Sequence, residues 1–427
     1  MNSIFKNICI RSIFSAAIVL AGAFSAFGQK PLSIAAVQGD KGASPVDGQV
    51  VRVTGVVTAI LNKGFYIQTP DDQIDKDPKT SEGIYVFGEN SVAMVSLGNL
   101  VQVDGTVTEF RPRSERIFLS ITEITKPTVK VISKDNSLPA PIVLTAADLD
   151  PNGRLDQMER FEGMRVKGNF NAVAPTGGFT NEKTGISGSN GVFFAVLQGT
   201  PRPFREPGLG VLSIIVDKLP KTTPAFDMNP EILRIDSVQQ VGAKAIDVTS
   251  GATLAGLTGV IDYSRKFYTL YVDAANPPKI DNIRPFVPMS PAGERETTVG
   301  SFNIENFFDD ETNSSNVEKE SVTPKDVFQK RLAKTSLAVR NVLSMPDVLG
   351  IIEVENLKAL QKLAEKINAD AVAAKQPDPK YVAYLEEGND VRGIDVAFLV
   401  KSTKIKVVEV KQLAKDEKIE SVAGAEG

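Results

Sequence analysis

From Pro31 to about Lys126 the chain alternates short apolar runs with Gly, Asp and Asn breaks, the pattern of half-buried strands. The clearest runs, 50–57, 64–68, 83–87 and 99–107, are rich in Val, Ile, Thr and Phe. Gly55 and Gly105 fall inside two of them, which predicts bulges or tight corners. Roughly five such strands suffice to close a small barrel, so residues 29–126 are read as an OB-like β-barrel domain. Part of the pattern recurs. Val53-Thr-Gly-Val-Val57 followed by Phe65-Tyr-Ile67 resembles Leu257-Thr-Gly-Val-Ile261 followed by Phe267-Tyr-Thr-Leu270, and Phe161 to Gly168 echoes the glycine-bearing strand. Residues 127–275 are therefore read as a second β-rich region, either a divergent barrel or strands of convergent composition.

Prolines 277, 278, 285, 288 and 291 mark a semi-rigid linker over 276–296. Beyond it the periodicity becomes α/β. Residues 323–344 predict a helix, with Thr323 as cap, Pro324 at the first helical position and Asp326 in the first turn. Phe328, Leu332, Val339 and Val342 form its core stripe. A second helix is predicted over 357–374, strands over 381–385 and 393–400, and a frayed polar end from Lys411. The fold class is thus multidomain: an all-β N-terminal part, then a partial α/β sandwich over 297–427.

Two apolar runs flank the first helix, Ser301-Phe-Asn-Ile-Glu-Asn-Phe-Phe308 and Gly350-Ile-Ile-Glu-Val-Glu-Asn356. A strand–helix–strand unit closes right-handed and parallel, bringing Asn303 and Glu353 to one carboxyl edge, where open α/β sheets place ligands. An amide oxygen and a carboxylate there are hard ligands suited to Mg²⁺, with Ca²⁺ or Mn²⁺ as alternatives. Strand alternation makes Glu355 an alternative ligand. The plain structural alternative is a strand-end Asn and a solvent-facing Glu.

Composition narrows the chemistry. The 427 residues, 42% hydrophobic and 23% charged, suit two or three globular domains. Lys and Arg number 48 against 52 Asp and Glu, so no global basic field attracts a polyanion, which must be held locally. Lys6, Arg11, the apolar stretch 13–27 and Ala26-Phe-Gly28 read as a cleavable secretory signal over 1–28. Cleavage there changes the net charge from −4 to −6, removes the single cysteine, Cys9, and leaves no membrane span. The expected location is extracellular or periplasmic, without disulfide or thiol chemistry. The chain has no histidine, so a Ser nucleophile would lack its usual base.

Two loops carry weaker signals. Arg111, Arg113 and Arg116 lie in one loop of the first β module, with Phe65, Tyr66, Phe110 and Phe118 nearby in sequence. This is either a nucleic-acid-binding loop or a solvated hairpin over core aromatics. Asp71-Asp-Gln-Ile-Asp-Lys-Asp77 is rich in oxygen ligands but lacks the glycine and closing Glu of an EF-hand loop, so it reads as solvated.

Residues 299–307 and 347–356 resemble the first two motifs of the endonuclease/exonuclease/phosphatase superfamily, the DNase I-like fold. The resemblance implies metal-binding roles for Asn303 and Glu353. Gly388 to Leu399 resembles the next stretch, which implies that Arg392 and Asp395 line the phosphate side of the site. Upstream, the β region, Pro203-Phe-Arg-Glu-Pro207 and the Pro-rich linker resemble secreted bacterial extracellular nucleases. The implied activity is Mg²⁺-dependent hydrolysis of extracellular DNA or RNA. Rival expectations are a non-catalytic nucleic-acid or polymer binder, and a phospholipid or sphingomyelin phosphodiesterase. The superfamily's later motifs, with their histidines, do not occur in this chain. The expectation is a truncated, inactive copy whose sheet leaves one apolar face exposed.

Overall fold

The computed structural model describes residues 31–115, 118–181, 183–201, 220, 227–281, 287–290, 292–293, 295–312, 321–413 and 415. The leader, Arg116, the 203–207 segment and two of the linker prolines, 285 and 291, lie outside the described residues.

Strands β1 (Val50–Leu61), β2 (Gly64–Gln68), β3 (Gly83–Phe87), β4 (Leu100–Phe110) and β5 (Ile121–Ser133) form a closed barrel in the order β1-β2-β3-β5-β4. β3 and β5 run parallel, and the other neighbours antiparallel. Alternation drives closure: in β4, Val101, Val103 and Val107 point into the core while Gln102 and Asp104 stay outside. Gly105 sits where the β4–β5 register skips between Asp104 and Thr106, a bulge as expected. Gly55 instead stays in register opposite Val101, and a Cβ there would lie 3.1 Å from the Gln68 carbonyl oxygen. Helix α1 (Ile34–Gln38), capped by Ser33, adds Ile34 and Val37 to the core, and α2 (Glu89–Val92) follows β3. The boundary drawn at 126/127 falls inside β5. Lys126 at φ 51 and Pro127 look like a break, but the strand continues to Ser133.

The second region holds β6 (Ile142–Val143), β7 (Arg165–Ala172), a separate hairpin of β8 (Gly178–Asn181) and β9 (Ile186–Ser189), β10 (Val192–Leu197), β11 (Leu233–Asp236), β12 (Thr253–Ser264), β13 (Phe267–Val272) and β14 (Lys279–Asp281). The sheet order is β14-β12-β13-β11-β10-β7-β6, and β7 also pairs with β12. That extra pairing closes a second five-stranded ring. Taken in chain order as first to fifth, β7, β10, β11, β12 and β13 repeat the pairing of β1 to β5, including the parallel third–fifth pair, here β11 with β13. The duplication is therefore one of connectivity. The recurring Thr-Gly-Val segments occupy different ring positions, first and second against fourth and fifth. The strand equivalent to β1, which holds Val53-Thr-Gly55, is β7, which holds Val166-Lys-Gly168. β14 pairs with β12, so the second sheet extends into the stretch assigned to the linker.

The rings meet along a tyrosine–carboxylate seam. Tyr66 Oη (β2) and Tyr271 Oη (β13) donate to the two oxygens of Asp262 (β12) at 2.5 and 2.7 Å. Ala59, Leu61 and Val260 pack around them. Nearby, Glu162 accepts from Thr122 N at 2.9 Å, and Gly83 meets Gly163 so closely that a Cβ on Gly83 would lie 2.1 Å from the Gly163 carbonyl carbon. Arg165 and Asp273 form a buried ion pair of 2.7 Å.

In the C-terminal unit, β15 (Val299–Phe307), β16 (Val348–Val354), β17 (Tyr381–Leu385) and β18 (Asp395–Lys401) form a sheet of order β15-β16-β18-β17. β15 and β16 are parallel, joined through α3 (Lys325–Asn341). α4 (Leu357–Ala373) is capped by Asn356, whose side chain accepts from Ala359 N. The N-cap of α3 is Pro324, without a side-chain bond. Thr323 is not the cap: it is buried and donates its backbone N–H to Asp309 O. The helices cover one face with Phe328, Leu332, Leu360, Leu363 and Ile367. Among the described residues Val299, Val382, Val396 and Phe398 are exposed, 72% in the case of Val299. Asp347 ties the strand starts together, accepting from Thr298 N, Lys401 and Lys404.

The seam should give stability a characteristic pH slope. Burial pushes the Glu123 and Glu159 carboxyls up to about 7, with the charge of Asp262 adding to the shift at Glu123. Such groups contribute stability that is full below their unfolded pKa of about 4.5 and is lost as pH rises through about 7. No histidine titrates in this window. The urea midpoint should fall from pH ~4.5 to ~7.5 and then level, and Glu123→Gln should flatten part of that fall.

Candidate metal centre

Parallel pairing puts Asn303 opposite Ile352, so Asn303 and Glu353 emerge side by side. Asn303 Nδ2 donates to Glu353 Oε1 at 3.1 Å, Asn306 N donates to Oε2 at 3.0 Å, and Glu305 N donates to Asn303 Oδ1 at 2.8 Å. The bonds from Asn303 and Asn306 hold the Glu353 carboxyl below its ordinary value, so it is ionised at neutral pH.

This arrangement needs an unusual backbone. Glu305, Asn306 and Glu353 have φ of 53°, 42° and 68°, and the β15–β16 register breaks between Asn303 and Phe307. Left-handed non-glycine residues cost of order 1–3 kcal/mol each and persist only when neighbours over-determine them. Arg331 of α3 is such a neighbour. Its Nη1 donates to Asn306 O at 2.7 Å and its Nη2 to Ile304 O at 3.0 Å and to Glu305 O. The guanidinium lies 5.3 Å from the Phe307 ring centroid. Sequence reading passed over Arg331. The available signal was a cation three residues after Phe328, on the apolar stripe itself.

Glu353 also lines a cavity of about 470 Å³ together with Arg392, Asp395 and Asn389. Arg392 is exposed, pairs with Asp390 at 2.8 Å, and its charge helps depress Glu353. Asp395 is buried and accepts from Gly388 N at 2.6 Å. Burial first, then the charge of Asp395 and a hydrogen bond to it, raise the Glu387 carboxyl above its ordinary value.

Three other readings change. Glu355 is 1% exposed and accepts from Asp309 N at 2.6 Å; the left-handed turn at Glu353 breaks the strand alternation that placed the two together. Phe65 and Tyr66 are buried in the barrel, whereas Phe110 is 49% exposed. Arg111 and Arg113 are exposed at the β4–β5 loop, far in the chain from the metal pair, with Arg111 Nη2 reaching Ser120 Oγ at 3.4 Å. In the 71–77 loop, Asp71, Asp75 and Asp77 accept from backbone N–H groups of Ala140, Asp77 and Lys79. Among the described residues, Asp309, Asp310 and Glu311 also cluster closely enough to hold an ion. The Lys362 ammonium already contacts all three, at 2.9, 3.2 and 2.8 Å.

Residues 298–423 match the sequence model of the Endonuclease/Exonuclease/phosphatase family, just under a third of the chain. The C-terminal unit is thus similar in sequence to that family. No curated protein matches. Solved structures with some likeness include a murine DNA binding protein bound with ds DNA, 10% identical over 56% of this chain and 99% of that one, TM-score 0.23. A single-stranded DNA binding protein from Thermus aquaticus is 13% identical over 58% and 98%, TM-score 0.16. An aspartyl tRNA synthetase from Entamoeba histolytica is 14% identical over 27% and 24%, TM-score 0.19, so the chain spans about a quarter of that enzyme. With TM-scores this low, none of them bears on function.

Members of this superfamily commonly use divalent metals, and the donor set fits one. An ionised carboxylate and an amide oxygen stand together at a strand edge beside an open cavity, the hard oxygen donors that a partly hydrated Mg²⁺ accepts. The clamp should be separable from the donors. Arg331→Lys keeps the charge but cannot fork to three carbonyls. It should destabilise the chain by ~1–3 kcal/mol in urea unfolding and speed amide exchange at 304–306. Unchanged exchange there would show that the turn holds without the guanidinium.

Proposed function

We propose that the C-terminal unit is a divalent-metal-dependent phosphodiesterase and that the two barrels, read as tandem OB-type modules, deliver single-stranded nucleic acid to it. The observation that carries the catalytic part is the hydrogen-bonded pair Asn303–Glu353 at the ends of two parallel strands, beside a cavity that also holds Arg392. Asn303 and Glu353 would hold the metal. When bound, the ion supplies charge stabilisation at a phosphoryl oxygen. Arg392, whose Nε and Nη2 are held by Asp390, would offer its remaining guanidinium N–H groups to the phosphate. Asp390 orients that side chain from below its ordinary pKa. Asp395 lines the cavity, with the raised Glu387 carboxyl hydrogen-bonded to it, and without histidine in this chain these carboxyls are the candidate acid–base groups. The nucleic-acid part rests on the barrels: the OB-type strand connectivity and the exposed Arg111 and Arg113 beside Phe110 support it. The apolar leader with Lys6 and Arg11 supports export of the chain.

The missing later motifs lead to the expectation of a chain inactive or nearly so, whereas the Asn303–Glu353 pair supports residual nicking of supercoiled plasmid in Mg²⁺ or Mn²⁺ and none in EDTA. Glu353→Ala and Asn303→Ala should each lower the rate by about 100-fold or more, while Arg392→Ala loses less. Cleavage that survives Glu353→Ala, or a wild-type chain inert with every divalent metal, contradicts the assignment.

A further inference from the structure

A cavity of about 1400 Å³ lies along the seam between the two rings. Its floor and walls come from both. Tyr66, Tyr85 and Phe87 step outward from the buried seam, with ring centroids 4.8 and 6.5 Å apart. Phe87 ends the series 42% exposed, and Phe110 stands on another wall, 49% exposed. Lys63, Lys126 and Arg265 are exposed cavity-lining cations. Exposed aromatics and three exposed cations lining one cleft suit a chain of stacked bases with flanking phosphates.

One lining residue, Glu123, pairs through its backbone in β5 but makes no side-chain hydrogen bond to the described residues. It is only 5% exposed. Asp262, the other carboxylate of this floor, is fully committed to Tyr66 and Tyr271. The Glu123 carboxylate faces the cavity, and burial of the side chain has moved it up to about 7. The Tyr85 hydroxyl, on the neighbouring strand, feels the Glu123 charge. A ligand that brings two hydrogen-bond donors side by side would satisfy the carboxylate. Of the four bases, guanine alone offers N1–H and an adjacent amino group on one edge, and its O6 can accept from a hydroxyl. Thymine offers one N–H flanked by two acceptors, which a carboxylate repels.

We propose that the inter-ring cleft seats single-stranded nucleic acid and that Glu123 selects guanine within it. This rests on the nucleic-acid reading above but not on the metal centre. The test uses the full chain at about pH 8, where Glu123 is mostly ionised, in EDTA so that nothing is cleaved. Fluorescein-labelled oligothymidylates carrying a single central guanine, inosine or adenine are compared with the all-thymine strand by fluorescence anisotropy. Guanine should bind about tenfold tighter than thymine, with inosine, which lacks the amino group, in between. Glu123→Gln should bring guanine and thymine within about twofold, and Tyr85→Phe should narrow the gap in part. The guanine–inosine comparison uses wild-type protein and is independent of how the variants fold. Equal affinities for all strands, a preference unchanged in Glu123→Gln, or no binding of any strand would overturn the proposal. Binding with guanine preference by a chain that cleaves nothing in Mg²⁺ would contradict the metal assignment alone.

Discussion

The constraint on which the candidate centre depends is the parallel register of Val299–Phe307 against Val348–Val354. It sets Asn303 beside Glu353, but regular strands would send the following residues to alternate faces. The chain departs from that regularity at Glu305, Asn306 and Glu353, three left-handed residues within two short segments. The departure turns Asn306 N toward Glu353 and leaves the carbonyls of 304–306 pointing at α3, where Arg331 collects them. Strain, clamp and donor pair form one unit. Its cost is met by the buried packing of α3 and α4 behind the sheet, where Phe307 and Phe328 stack at 5.5 Å.

The barrels follow a different logic. Each ring closes on its own core, and the two are joined through polar groups as much as apolar ones. Asp262 between two tyrosines, Glu162 beneath Thr122 and the ion pair of Arg165 with Asp273 all lie buried at or near that junction. Buried carboxylates are a poor source of stability, because desolvation offsets much of what their hydrogen bonds return. They do fix register, since each accepts from only one arrangement of neighbours. A junction built this way keeps a wide cleft open beside itself, where a purely apolar seam would tend to close.

Much of this was legible in the sequence where the signal is local. The strands 64–68, 83–87 and 381–385 appear at the residues where alternation and turn residues placed them. The helix after Glu353 was equally plain, since Leu360, Leu363, Ala364 and Ile367 repeat at helical spacing. Asn303 and Glu353 were singled out through motif resemblance, and the structure brings them into contact. What sequence could not supply is long-range pairing. Closure of the second ring needs β7 against β12, segments some 90 residues apart, and no local pattern encodes that choice. The Thr-Gly-Val repeat lies on strands that are not equivalent, although the two rings share one strand connectivity. Arg331, Glu123 and Asp262 were missed for a related reason: each is an ordinary residue in its own segment and matters only through partners far away in the chain.

The claim that most of this supports is that Asn303 and Glu353 hold a divalent cation, and it can be tested without any substrate. Mn²⁺ titrated into the full chain and followed by the EPR signal of the free hydrated ion reports binding directly. The account predicts a bound ion that is displaced by Mg²⁺ and lost on Glu353→Ala. No bound Mn²⁺, or binding that persists undiminished in Glu353→Ala, would contradict it.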